Sequence, residues 1–140
     1  MKSGAAASAH GSWVVVDSNL WIDHFSGAQN KYVEEVTTLT KQGRACLAGP
    51  ILYEVLVRIR SPDQRRFIRS RMGRQPILPT TEGVWLRAVE LARTESILSD
   101  DEYPMADILI AAHCLLHNVP LFTRDSHFDR VSPLRRHYPK

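Results

Sequence analysis

At 140 residues the chain fits a single domain, long enough to bury roughly two-thirds of its unfolded surface. Hydrophobic residues make up 44% of it and charged residues 24%. That is the balance of a globular protein, and the apolar runs are too short to span a bilayer, so a membrane role has no support. The formal charge of +3 is modest, but seven arginines and a single acid, Asp63, lie between Arg58 and Arg74. Such a stripe either favours a polyanion or forms a solvated helix face.

Met1 to Ser12 is small and polar, without the apolar stretch of a secretory leader. It reads as a flexible tail or cloning remnant, which leaves residues 13–140 as the domain. Trp13-Val14-Val15-Val16 is a continuous β-branched run, the pattern of a strand buried on both faces of a parallel sheet. Ser18 or Asn19 is placed to cap a short helix through Leu20-Trp21-Ile22. Asn30 to Gln42 follows as an amphipathic helix with Tyr32, Val33, Val36 and Leu39 on one face, and Gly43 ends it. Ala45 to Ala48 reads as a second strand. Gly49-Pro50 then starts a helix that turns Ile51, Leu52, Val55, Leu56 and Ile59 toward the core. Ser61-Pro62 opens a basic helix to about Met72, and Pro76 to Pro79 is a third candidate strand.

Thr81 to Leu98 has helical spacing in Val84, Trp85, Ala88, Leu91 and Ala92, and Ser99 to Tyr103 is an acidic loop. Pro104 opens the most apolar helix, which Asn118 stops near His117. Val119 to Thr123 is the next strand, and the basic tail beyond Ser132 reads as a last edge strand. Strands alternating with helices define an α/β domain with a central parallel sheet flanked by helices. Cys46 and Cys114 stand in apolar surroundings without metal-ligand spacing, as reduced core thiols of a cytosolic protein do.

Four acids mark the ends of the buried segments: Asp17 after the first strand, Glu54 one turn into the helix after the second, Asp107 in the first turn of the apolar helix, and Asp125 after the strand ending at Thr123. Ligands of open α/β sheets gather beyond the carboxyl ends of the strands, so this topology gathers all four at one rim. Each acid alone has an ordinary explanation: Asp17 and Asp125 as caps, Glu54 as a solvated helix residue, Asp107 as a first-turn charge. Together they would bring a charge near −4 into one pocket. Two unit charges about 4 Å apart repel by roughly 4 kcal/mol at an effective dielectric near 20. A bound divalent metal or shared protons would relieve that, and the metal is the stronger reading.

These segments resemble a known family. Asp17-Ser18-Asn19-Leu20-Trp21-Ile22-Asp23 is similar to the opening motif of PIN-domain ribonucleases, with Glu54 at the usual kind of distance. Ala106-Asp107-Ile108-Leu109-Ile110-Ala111-Ala112 followed by Leu121 to Phe128 resembles the closing half of VapC-type toxins. The likeness runs from Val14 to Val131. It implies a PIN-like α/β/α sandwich and an endoribonuclease dependent on Mg²⁺, or Mn²⁺ as substitute, that cleaves structured RNA. It also implies a cytoplasmic homodimer held in check by a cognate antitoxin whose tail blocks the acidic pocket. By motif, Asp17 and Asp107 are the primary metal ligands, Glu54 and Asp125 complete the site directly or through water, and Asn19 and Thr123 hydrogen-bond to it. Asp129 is one acid more than the motif needs and reads as a surface charge at a helix end.

Arg124 beside the pocket and some of Arg65, Arg66, Arg69, Arg71 and Arg74 are candidates to hold RNA phosphates, which fix register rather than read sequence. Part of that stripe could instead meet the antitoxin. His113 is expected on the helix surface and His127 beside a turn, neither needed as a base. A haloacid-dehalogenase-like phosphatase also places Asp after its first strand, but its second Asp would stand where this chain has Asn19. A receiver domain would want a lysine near the final strand, where this chain has Arg124. A catalytically silent PIN-like RNA-binding or scaffold module is the remaining alternative, and the intact set of acids argues against it.

Overall fold

The computed structural model describes residues 12–94 and 104–140. Four strands form one parallel sheet in the order β2-β1-β3-β4: β1 (Val14–Val16), β2 (Ala45–Cys46), β3 (Leu121–Phe122) and β4 (Arg136–His137). Six α-helices flank it among the described residues: α1 (Ser18–Ser26), α2 (Lys31–Lys41), α3 (Gly49–Val57), α4 (Pro62–Met72), α5 (Glu82–Thr94) and α6 (Met105–His117). The sheet is short but dry. Every side chain of β1, β2 and β3 is buried, and each apolar side chain removed from water contributes about 1.5–3 kcal/mol. Continuous apolar runs without alternation follow from that two-sided cover.

Connections out of β1 and into β3 give the sheet its crevice. From β1 the chain runs through α1 and α2 to β2 on one side, and it returns through α3 to α6 to enter β3 on the other. The carboxyl ends of β1 and β3 therefore flank a point where the strand order reverses, the place where α/β sheets bind ligands. Asp17 follows β1 and Thr123 follows β3, directly at that point.

Local signals set most boundaries. Asn30 caps α2 by accepting from the backbone N–H groups of Tyr32 and Val33, both at 3.0 Å. Ser61 caps α4 through Gln64, with Pro62 in the first turn. Asn118 ends α6 in the left-handed region at φ 55°, which asparagine tolerates better than most residues. The cap of α1 departs from expectation: Asp17 performs it, accepting from Ser18 N–H at 2.8 Å, rather than Ser18 or Asn19.

Three further expectations are corrected. Pro76 to Pro79 does not form a strand; it makes a single parallel bridge between Ile77 and Leu47, because prolines at both ends remove the donors a ladder needs. Trp85 is 48% exposed, so the apolar face of α5 is narrower than its spacing suggests. His113 is fully buried, not on the helix surface. Its Nδ1 lies 2.7 Å from the Leu109 carbonyl oxygen and its Nε2 2.8 Å from the Thr80 hydroxyl. With His117 at 3.0 Å from the Pro79 carbonyl oxygen, it fastens the 79–80 segment to α6. The acidic loop at 99–103, the end of the 81–98 helix and tail residues 1–11 lie outside the described residues.

Candidate metal centre

Asp17 is 6% exposed, and both of its carboxylate oxygens are held. Ser18 N–H donates to Oδ1 at 2.8 Å, and the Thr123 hydroxyl donates to Oδ2 at 2.6 Å. The same Thr123 oxygen accepts the Asp125 N–H at 3.0 Å, so one hydroxyl couples the strand ends of β1 and β3. Asp125 in turn caps the 3-10 turn Ser126–Arg130 by accepting from His127 N–H at 2.9 Å. Capping and convergence are one arrangement: the acids turn the chain at the sheet edge and remain there.

Glu54 joins from α3, where its Oε1 accepts the Ser18 hydroxyl at 3.1 Å. Asp107 comes from the first turn of α6. Burial pushes its carboxyl up to about 7, helped by the charges of Asp17, Asp125 and Glu54 and opposed by His127. A helix N-terminus favours the ionised form, but desolvation and three like charges outweigh it. Asp17 is raised as well, chiefly by burial, with the Thr123 and Ser18 hydrogen bonds pulling it down and Asp125 pushing it up. Burial raises Glu54 too, offset by the Ser18 hydroxyl and Arg58. Asp107 therefore senses the charge of the other three acids.

Ligand atoms of Asp107, Asp125 and His127 lie within 4.8 Å of one another. Two oxygens on one Mg²⁺ at about 2.0–2.1 Å are at most about 4.2 Å apart, so small side-chain rotations close this cluster onto an ion. Asp17 and Glu54 stand beside the cluster rather than in it, tied to it through Thr123 and Ser18. Carboxylate oxygens are hard donors suited to Mg²⁺ or Mn²⁺, and an imidazole is accepted more readily by Mn²⁺. The donor set and its excess of negative charge fit such a cation.

The arginines divide. Arg124 lies beside the rim, bound to Asp23 at 3.1 Å and stacked 5.2 Å from the Tyr32 ring. It lines a cleft of about 410 Å³ with Asn19, Ile22, Asp23 and Asp125. Arg58 donates to the Asn19 carboxamide oxygen at 3.2 Å, so Asn19 carries an arginine while Ser18 makes the bond to Glu54. Arg66 pairs with Asp63 on the surface, and Arg65 donates to the Ile59 carbonyl oxygen at 2.6 Å. Arg69 borders an apolar cleft with Leu52 and Met72. Arg71 and Arg74 line a separate cavity of about 340 Å³ with Trp21 and His24. Asp129 pairs with Arg136, outside the acid cluster.

Ser18, Arg58 and His127 are the site residues that sequence reasoning missed. The signal for His127 was its place two residues after Asp125; Ser18 and Arg58 act through partners 36 and 39 positions away, which no local pattern reveals.

Carboxylates from four segments thus stand near the switch point of a parallel α/β sheet. The PIN domain is the family description that matches, over residues 14–133, and the chain belongs to that family. The fold is similar to that of VapBC2 from Rickettsia felis, solved bound to a promoter DNA fragment, with a TM-score of 0.73 at 19% identity over 91% of this chain and 98% of that one. A toxin–antitoxin complex from Klebsiella pneumoniae gives 0.68 at 19% identity, over 91% and 99%. VapBC-1 from nontypeable Haemophilus influenzae gives 0.69 at 21% identity, over 89% and 96%. No curated protein sequence matched the chain.

Proposed function

We propose that the protein is a Mg²⁺- or Mn²⁺-dependent endoribonuclease and the toxin of a bacterial toxin–antitoxin pair. The observation that carries this is the grouping of ligand atoms of Asp107, Asp125 and His127 within 4.8 Å of one another, with Asp17 and Glu54 held beside them through Thr123 and Ser18. Asp17 and Asp107 would be the principal ligands, with Glu54 and Asp125 completing the site directly or through water and His127 beside them. A bound cation supplies an activated water and neutralises charge building on the scissile phosphoryl group. The protein's own groups orient the reaction. Thr123 and Ser18 fix both oxygens of Asp17, and Arg124 faces the approach from Asn19 and Asp23 where a neighbouring phosphate can rest. Arg65, Arg66 and Arg69 would extend phosphate contact along α4.

Structured RNA as substrate and an antitoxin partner rest on the resemblance to VapC-type toxins, and the similar structure described as a toxin–antitoxin complex supports the partner. Exposed Tyr53, Val57, Trp85, Leu86 and Val89 provide apolar area for a homodimer. A cytoplasmic setting fits two buried free cysteines and the absence, among the described residues, of a helix able to cross a membrane. Purified protein incubated with RNA should leave discrete ends with Mg²⁺ or Mn²⁺ and none with EDTA or after Asp17→Asn. Undiminished cleavage by the Asp17→Asn variant would overturn the mechanism. RNA retention without cleavage by the wild type would make the protein a silent binding module.

A further inference from the structure

β4 lies beyond residue 133, where the PIN-domain match ends, yet one of its side chains reaches the acidic centre. Arg136, mostly buried, donates from one guanidinium nitrogen to the Thr123 carbonyl oxygen at 2.9 Å and pairs through the other with Asp129. Its Nε–H is buried without a hydrogen-bond partner among the described residues, so the side chain is not placed there by hydrogen bonding of its whole fork. Thr123 is the residue whose hydroxyl binds Asp17 and whose oxygen receives the Asp125 N–H. The 123–124 peptide group leaves the sheet at this point, and Arg136 holds its carbonyl.

We propose that Arg136 is a positioning residue for the acidic centre: its guanidinium fixes the Thr123 carbonyl and thereby the hydroxyl that aligns Asp17 with Asp125. This rests on the reading of that centre as a divalent-metal site. The attachment of β4 does not depend on Arg136. Backbone pairing of Leu121 with Arg136 and of Phe122 with His137 holds the strand, and His137 Nε2 meets Glu35 Oε2 at 2.6 Å, securing it to α2. Removing the guanidinium should therefore leave the strand in place and release one peptide group. Partners that orient metal ligands from behind act on affinity and turnover together, while a group touching substrate acts on substrate binding.

The test is Mn²⁺ titration by calorimetry on the full chain, with RNA cleavage kinetics alongside. Arg136→Gln should weaken Mn²⁺ binding about 10- to 100-fold and lower kcat, with KM for RNA unchanged. Arg136→Lys, which keeps one charged donor, should recover part of both. Asp129→Asn, which leaves the bond to Thr123, should stay within about twofold of wild type. Wild-type Mn²⁺ affinity and kcat in Arg136→Gln, or a loss confined to KM, would overturn the proposal. If the glutamine variant fails to fold, Arg136→Lys decides it: weaker Mn²⁺ binding supports the role and unchanged binding refutes it. A wild-type protein that binds no Mn²⁺ would instead refute the metal reading itself.

Discussion

Replacing Asp107 by asparagine should stabilise the metal-free protein. The folded-state value of about 7 stands above the ordinary 3.8, so the folded chain holds this proton more tightly than the unfolded chain does. The favourable contribution is complete below about pH 3.8 and is lost as pH rises through about 7. Across that gap the full linkage amounts to about 4 kcal/mol, reduced to roughly 2 kcal/mol for a half-buried carboxyl that solvent partly screens. Asparagine also forfeits the charge at the start of α6, a loss of about 0.5 kcal/mol, leaving a net gain of about 1.5 kcal/mol. In a domain of this size that raises Tm by roughly 4–6 °C.

Circular dichroism melting at pH 8 in EDTA is the assay. The variant should melt above wild type, and the difference should shrink as pH falls toward 4 and vanish below about pH 3.8, where position 107 is neutral in both proteins, folded and unfolded. Mn²⁺ should then raise Tm for wild type and have little effect on Asp107→Asn. A variant that melts at or below wild type at pH 8 would refute the crowding of carboxylates on which the site depends.

Thr123→Val removes the hydroxyl shared by Asp17 and Asp125; it should cost about 1–3 kcal/mol of stability and about 10- to 100-fold in Mn²⁺ affinity, read by denaturant unfolding and calorimetry. His113→Leu leaves the Thr80 hydroxyl without its partner and should cost about 1–3 kcal/mol, while cleavage by the folded fraction stays at the wild-type rate. Reversing charge at Arg66 and Arg69 should weaken RNA binding and flatten its dependence on salt; filter binding across a salt series that gives the wild-type slope would assign those arginines elsewhere.

The chain announces what depends on neighbours in sequence. Val14–Val16, the Pro62–Met72 helix and the stop at Asn118 follow from β-branching, a proline in the first turn and a left-handed cap. The positions of Asp17, Asp107 and Asp125 at strand ends and a helix start were legible because such ends imply a rim before any contact is known. What escaped notice depends on distant partners. His113 looks like one more polar residue on a helix until Thr80, 33 positions earlier, is seen beneath it. Arg58 reads as part of a basic stripe, but Asn19 draws it to the rim, and Arg136 reads as a tail charge until β4 pairs with β3. The 76–79 segment looked like a strand on hydrophobicity alone, against the evidence of its own prolines.

The most direct measurement is the anomalous scattering of Mn²⁺ soaked into crystals of the protein. One strong peak should lie about 2.0–2.3 Å from a carboxylate oxygen of Asp107, with Asp17, Asp125, Glu54 and His127 reaching it directly or across a water. No peak at that rim, or manganese bound only at some other surface, would contradict the shared ion.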